Sequence, residues 1–248
     1  MFVQEDFVKI SMIDHLEELR RRLIKTVLFF FLALCIAYIF AADIYQVLVE
    51  PLVIASGGEE RRMIYTSLTE AFFTYLNLAL FAAFFVTFPV LASQLYLFFA
   101  PGLYKKEKQA ILPFLIAAPI LFLLGSMLVY FIVMPYAWEF FLGFEQNGNV
   151  PIKLEAKVDQ YLSLVMHLII GFGIAFQMPV IITLLAKIGF IQVESLKKNR
   201  RFAIVIIVVV AAFLTPPDVV SQLTLTAALY CLYELSIISC KYTQATKK

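Results

Sequence analysis

The sequence predicts an all-α polytopic membrane protein with six transmembrane helices, and two observations carry that expectation. Of its 248 residues, 62% are apolar and 15% charged, with 25 Phe and 12 Tyr, where a soluble domain holds about 45–50% and 25%. The charges are also excluded from long runs: 71–100, 109–138, 160–186 and 202–217 contain no Asp, Glu, Lys or Arg. A soluble core of this size has no room for four such runs, whereas a bilayer accepts each as a helix. The mean hydropathy of +0.88 agrees.

Residues 1–22 are polar and read as a cytoplasmic amphipathic segment. Asp14, Glu17 and Glu18 precede Arg20, Arg21 and Arg22, the order a helix dipole favours, and Ser11 or Asp14 is placed to cap the helix. Leu16, Leu19 and Leu23 form an apolar stripe suited to the membrane surface. The first span, 23–42, contains Lys25, whose amine snorkels to the interface. The outer segment 43–70 is punctuated by Pro51 and Gly57-Gly58 and ends in Ser67-Leu-Thr-Glu70, a capping-box pattern that starts the second span, 71–97. The short stretch 98–109 makes a hairpin of this span and the third, 110–134. A second outer segment, 135–160, is long enough, like the first, for short helices over the outer mouth. The fourth span is 161–186. The fifth, 202–215, is held between Arg201 and Pro216-Pro217 to 14 residues, about 21 Å of helix against a hydrocarbon core of about 30 Å. The sixth, 221–240, carries only Glu234 as a charge and leads to a cytoplasmic tail, 241–248. A re-entrant pair made of spans five and six is the alternative. Pro89, Pro113, Pro119 and Pro179 lie within spans and Pro135 at the outer end of the third; bends at these points favour a curved, concave body.

Orientation follows from the bases. With the N-terminus inside, segments 1–25, 98–109, 187–201 and 241–248 hold 16 Lys and Arg, and the outer segments hold four: Arg61, Arg62, Lys153 and Lys157. This partition puts both termini in the cytoplasm. No secretory signal is visible, because the first apolar run is too long and lacks a small-residue cleavage pattern. Cys35, Cys231 and Cys240 fall in apolar spans and read as small buried hydrophobes. The net charge of +2 averages two oppositely charged faces and says nothing of nucleic acid.

Few residues suggest chemistry. Glu18 is open to two readings, a solvated acid paired with Arg22 or part of a site. Glu107, among Lys105, Lys106 and Lys108, is either a loop acid or a second member of that site. If the two acids meet beside Phe98 and Leu103, they form an anionic site with an apolar rim, suited to a guanidinium that a carboxylate grips by two N–H bonds. Gln177, before Pro179 in the fourth span, is costly near mid-span unless it faces protein or a wet cavity. Gln222, Thr226, Tyr230 and Glu234 share one face of the sixth span, which looks into the concavity, at another subunit, or hides a neutral hydrogen-bonded Glu234. His167 reads as a buried, hydrogen-bonded histidine. With His15 it offers no HExxH, and there is no P-loop, GxGxxG or GxSG serine, so neither an enzyme nor a cofactor is expected.

Taken together, these segments resemble the TatC family, the multispanning core of the twin-arginine protein translocase. His15-Leu-Glu-Glu18-Leu-Arg20-Arg-Arg22-Leu23 is similar to the family's HLxELRxRL start, and Phe98-Phe-Ala-Pro101-Gly-Leu103-Tyr-Lys-Lys-Glu107 to its FxxPxLYxxE loop. Thr215-Pro-Pro-Asp218-Val-Val-Ser-Gln222 resembles the outer turn between the last two spans, and Glu50-Pro51-Leu52 matches the proline of the first outer loop. The resemblance implies a concave, glove-like bundle with short helices five and six, which receives signal peptides bearing consecutive arginines on folded precursors. It implies that Glu18 and Glu107 read the arginine pair, that Arg20, Phe98 and Leu103 shape the patch, and that Pro51 and Asp218 matter on the outer side, with Glu234 a polar position of the last span. Gln177 departs from the glutamate common in the family at a place facing the hollow, which leaves a polar anchor but no ionisable group.

The function expected is therefore a non-enzymatic, cytoplasmic-side signal receptor in the cell inner membrane, supporting export driven by the proton-motive force. Small single-span TatA/TatB-type subunits, membrane lipid and further copies in a multimeric receptor complex are the implied partners. A small-solute secondary transporter lined by Gln177 and Glu234 is the alternative, and would concentrate polar groups at midplane.

Overall fold

A computed structural model of the chain describes residues 12–57, 62–99, 112–146, 153–187, 189–215 and 217–245. Within them the chain is helical: α1 (Met12–Ile39), α2 (Ala41–Ala55), α3 (Glu70–Phe99), α4 (Leu112–Leu128), α5 (Met134–Leu142), α6 (Val158–Ala175), α7 (Met178–Lys187), α8 (Val193–Lys198), α9 (Arg200–Leu214) and α10 (Val219–Ala245). Among the described residues, five helical stretches are long and apolar enough to cross a membrane: Glu17–Ile39, Glu70–Tyr96, Pro113–Leu142, Val158–Lys187 and Val219–Lys241.

The count and lengths of the spans need correction. The count of long spans is five rather than six, because α9 has 15 residues, about 22 Å at the helical rise. The last helix, in contrast, is not short. No Gly or Pro interrupts 219–245, so α10 runs for 27 residues and overhangs α9 at the end of the bundle that carries the basic residues. At the start of the chain, α1 continues unbroken from Met12 into the first apolar run.

Prolines shape the other helices. Pro135 cannot donate to the Phe131 carbonyl, and the chain widens just before it into a π turn, Val129–Val133, where the Met134 N–H bonds the Val129 carbonyl. α5 therefore extends α4 to Leu142, beyond the expected end of that span at 134. Pro179 acts likewise on the next pair. α6 stops at Ala175, a turn covers Phe176 and Gln177, and α7 begins at Met178.

Packing follows from which faces are small or aromatic. α1 lies along α3, and its opposite face, with Leu28, Phe31, Leu32 and Ile36, is exposed as lipid requires. α10 packs on α7, α8 and α9, and α4 on α3 and α6. The main core joins Leu78 and Phe81 of α3, Val129 and Met134 around the π turn, Leu162, Val165 and Phe172 of α6, and Leu225 and Leu229 of α10. A second cluster holds Phe88, Ala92, Ala118 and Phe122, with Phe88 and Phe122 stacked at 3.8 Å. Of the cysteines, Cys240 is buried, but Cys35 and Cys231 are exposed. They stand on outward faces beside exposed Phe31, Ile39 and Leu235. His167 is also exposed rather than buried, its Nδ1 2.6 Å from the Ser163 carbonyl oxygen.

Two glycines let α4 and α6 approach. A Cβ at Gly125 would sit 2.8 Å from the Phe172 carbonyl oxygen, and one at Gly173 would sit 2.5 Å from the Phe122 ring. A helical Gly→Ala change ordinarily stabilises by about 1 kcal/mol. Here Gly125→Ala and Gly173→Ala should each destabilise by about 1–3 kcal/mol through overpacking. Thermal unfolding in detergent checks the sign, and a stabilised variant at either position would contradict the contact.

Candidate functional site

At the basic end, Glu18 stands on α1 one turn before Arg22, an order that brings the two side chains together. Arg22 Nε and Nη2 both donate to Glu18 Oε1, at 3.0 and 2.5 Å. Because α1 lies against α3, the third nitrogen, Nη1, reaches across and donates to Gln94 Oε1 at 3.1 Å. The Arg22 and Glu18 side chains are 24% and 35% exposed. They border a cavity of about 460 Å³ lined also by Glu17, Arg21, Lys25 and Gln94. Arg20 projects outward from the same helix, and a weaker pair, Arg21 with Glu17 at 3.5 Å, lies on the exposed side. Leu103 and Glu107 lie outside the described residues, as does the side chain of Phe98, which belongs to the last turn of α3. The apposition of the two acids is therefore a matter for proposal. A half-exposed carboxylate already holding one guanidinium, beside an open cavity, is suited to cation recognition.

Further along the bundle, Gln177 occupies the turn between α6 and α7. Its backbone N–H bonds the Ile174 carbonyl, so the Gly173 carbonyl loses its helical partner. Gln177 Nε2 then donates to that oxygen at 3.4 Å and to the Ala118 carbonyl of α4 at 3.0 Å. The residue is 6% exposed and packed against α4 rather than facing a hollow. Its Oε1 accepts nothing among the described residues. Glu234 is not at mid-span. Arg200 Nη2, in the first turn of α9, donates to its Oε2 at 2.8 Å, and Tyr230 Oη donates to its Oε1 at 3.2 Å. It is thus paired with a cation at the level where α9 begins, and the overhang of α10 is the reason.

The opposite end is tied differently. Pro51 lies inside α2 and has no N–H for the Val47 carbonyl. Tyr130, from the π turn, donates its one O–H to that oxygen at 2.8 Å, with Glu50 Oε2 3.2 Å from the same hydroxyl. Tyr161 Oη donates to the neighbouring Leu48 carbonyl at 2.9 Å. Asp218, 2% exposed, caps α10 by accepting the Ser221 N–H on Oδ2 at 2.6 Å. Ile64 bonds the backbone on both sides of Lys157, through Ala156 O at 3.1 Å and the Val158 N–H at 3.0 Å. Glu70 Oε2 accepts the Thr66 and Ser67 N–H groups and lies 3.3 Å from Lys157 Nζ, so the stretches before α3 and before α6 are stitched together.

The family model for the Sec-independent protein translocase protein (TatC) matches residues 14–227. The chain belongs to the TatC family. It is 47% identical over 235 residues to the Sec-independent protein translocase protein TatC of Rickettsia prowazekii, covering 94% of each chain. It is 36% identical to the TatC of Escherichia coli K12, covering 93% of this chain and 88% of that one. A solved structure described as the crystal structure of the twin arginine translocase receptor TatC superposes with a TM-score of 0.77 at 36% identity, covering 93% of this chain and 99% of the other.

In this TatC-family chain the Glu18–Arg22 pair and the Ser67–Glu70 cap were legible in the sequence, but the long-range partners were missed. Gln94 was signalled only by being polar within an uncharged run, four residues before Phe98. Arg200 was counted as one base among many, and Tyr130 was lost in the third span. The Tyr130 assignment is testable. Tyr130→Phe should destabilise by about 1 kcal/mol, since it strips the Val47 carbonyl of its donor. Pro51→Ala restores a backbone N–H at the same oxygen, so the loss should shrink in the Pro51→Ala background. A double-mutant cycle of thermal stabilities checks this, and strict additivity would refute the repair.

Proposed function

We propose that this TatC-family chain is the signal-receiving core of a twin-arginine translocase, and that it reads the arginine pair at its basic end with Glu18 and Glu107. The observation that carries this is the Glu18 carboxylate, which holds a guanidinium beside a cavity of about 460 Å³. Arg20, Phe98 and Leu103 complete the patch, with apolar side chains covering nearby signal residues. Recognition breaks no covalent bond, and a translocase subunit of this kind is not an enzyme. The basic end is cytoplasmic, both termini included, in the cell inner membrane, with α9 as a sixth, shortened crossing and the body concave toward the signal. Single-span TatA/TatB-type subunits and further copies of the chain join it during proton-motive-force-driven export of folded precursors. A solute-transport path through Gln177 and Glu234 is disfavoured, because Gln177 is closed against α4 and Glu234 is engaged by Arg200.

Charge-assisted bonds near water contribute about 1–3 kcal/mol. Glu107→Gln should therefore weaken binding of a labelled twin-arginine peptide by roughly tenfold to a hundredfold, and Glu18→Gln by a similar or smaller factor. The measurement is affinity for purified, folded protein in nanodiscs, and binding within twofold of the native chain by both variants would place the recognition elsewhere.

Sidedness has its own test. In a chain whose three cysteines are replaced, new cysteines at Gly58 and Gly148 should react with an impermeant thiol reagent added outside, and one at Lys106 should not. The reverse pattern would invert the protein.

A further inference from the structure

Glu18 is already occupied in the free chain. Arg22 places two nitrogens on its Oε1, at 3.0 and 2.5 Å, while among the described residues Oε2 accepts no hydrogen bond. The same guanidinium keeps a second hold, Nη1 on Gln94 Oε1 at 3.1 Å. Arg22 thus touches both partners at once from one rotamer, with Glu18 on its own helix and Gln94 on α3. Both members of the ion pair are partly exposed, so water and an incoming peptide have access to them.

We propose that Arg22 is an internal stand-in for a signal arginine: it occupies Glu18 until a guanidinium of the signal exchanges with it, and Gln94 retains it when Glu18 is released. This rests on the assignment of Glu18 to signal recognition. The exchange is balanced for an arginine ligand, which presents the same forked donors that it displaces. A lysine ligand presents a point charge and cannot reproduce the fork, so it competes poorly with the resident side chain. Selectivity for arginine over lysine then comes partly from what the ligand must displace, since specificity is a difference between affinities. Arg22 is a specificity-determining residue on this account, acting through Glu18.

The experiment measures the affinity of the purified full chain in nanodiscs for a labelled twin-arginine peptide and its twin-lysine version. Arg22→Gln should raise affinity for the arginine peptide about two- to fivefold, the worth of a partly exposed ion pair. It should raise affinity for the lysine peptide more, so that the ratio between the two contracts. Arg22→Lys should fall between Gln and the native residue, and both effects should vanish in a Glu18→Gln background. Arg21→Gln removes the same charge from a side chain paired with Glu17, and so reports the general electrostatic gain that Arg22→Gln must exceed. A folded Arg22→Gln chain that binds the arginine peptide no better than the native one, or no better than Arg21→Gln, overturns the exchange while Glu18 keeps its role. Should Arg22→Gln fail to fold, Arg22→Lys decides alone, with equal or weaker binding overturning the proposal. Native affinity in Glu18→Gln removes the assignment of Glu18 and the exchange with it.

Discussion

A backbone in lipid has no water to turn to, so every break in a helix must be repaired by protein. At three prolines of this bundle the repair is visible. Pro51 leaves the Val47 carbonyl bare, and Tyr130 supplies the missing donor. Pro135 is accommodated by a π turn that shifts the Met134 bond to Val129. The turn before Pro179 frees the Gly173 carbonyl, and the Gln177 amide reaches it while also bonding α4. Gln177 therefore has a structural role that needs no ionisable group.

The two ends of the bundle use interactions of different permanence. The end opposite the basic residues is closed by backbone bonds and buried acids: Ile64 on both sides of Lys157, Glu70 on Thr66 and Ser67, Asp218 on Ser221. Removing one such partner leaves a desolvated group behind. At the basic end the ion pairs are partly exposed and worth little each, so water or a ligand can replace them. A receptor surface belongs on the second kind of end, with the first kind holding the helices that present it.

The last two helices make an unequal hairpin. α9, with 15 residues, is matched by the part of α10 between Val219 and Glu234, where Arg200 meets the glutamate. At that level Tyr233 Oη donates to the Leu196 carbonyl of α8 at 2.8 Å, and beyond it α10 continues against α7, where Cys240 meets the Ile182 carbonyl. A polar residue that looks intramembrane by counting along the chain is thereby carried to the level of the ion-paired end.

Composition and charge-free runs determined by themselves that the chain is a helical membrane protein and where most of its long helices lie. Those properties are local, because hydropathy over some 20 residues decides insertion. The HLxELRxRL and FxxPxLYxxE patterns likewise pointed to the family before any fold was known. Local polar pairs such as Glu18–Arg22 and Ser67–Glu70 follow from spacing, whereas the long-range partners were decided by tertiary structure. Arg22 to Gln94, Tyr130 to Val47, Gln177 to Ala118 and Arg200 to Glu234 join residues 72, 83, 59 and 34 apart in sequence. No periodicity encodes such pairs. They exist because helices packed at fixed distances bring an unsatisfied carbonyl or charge within reach of one particular side chain.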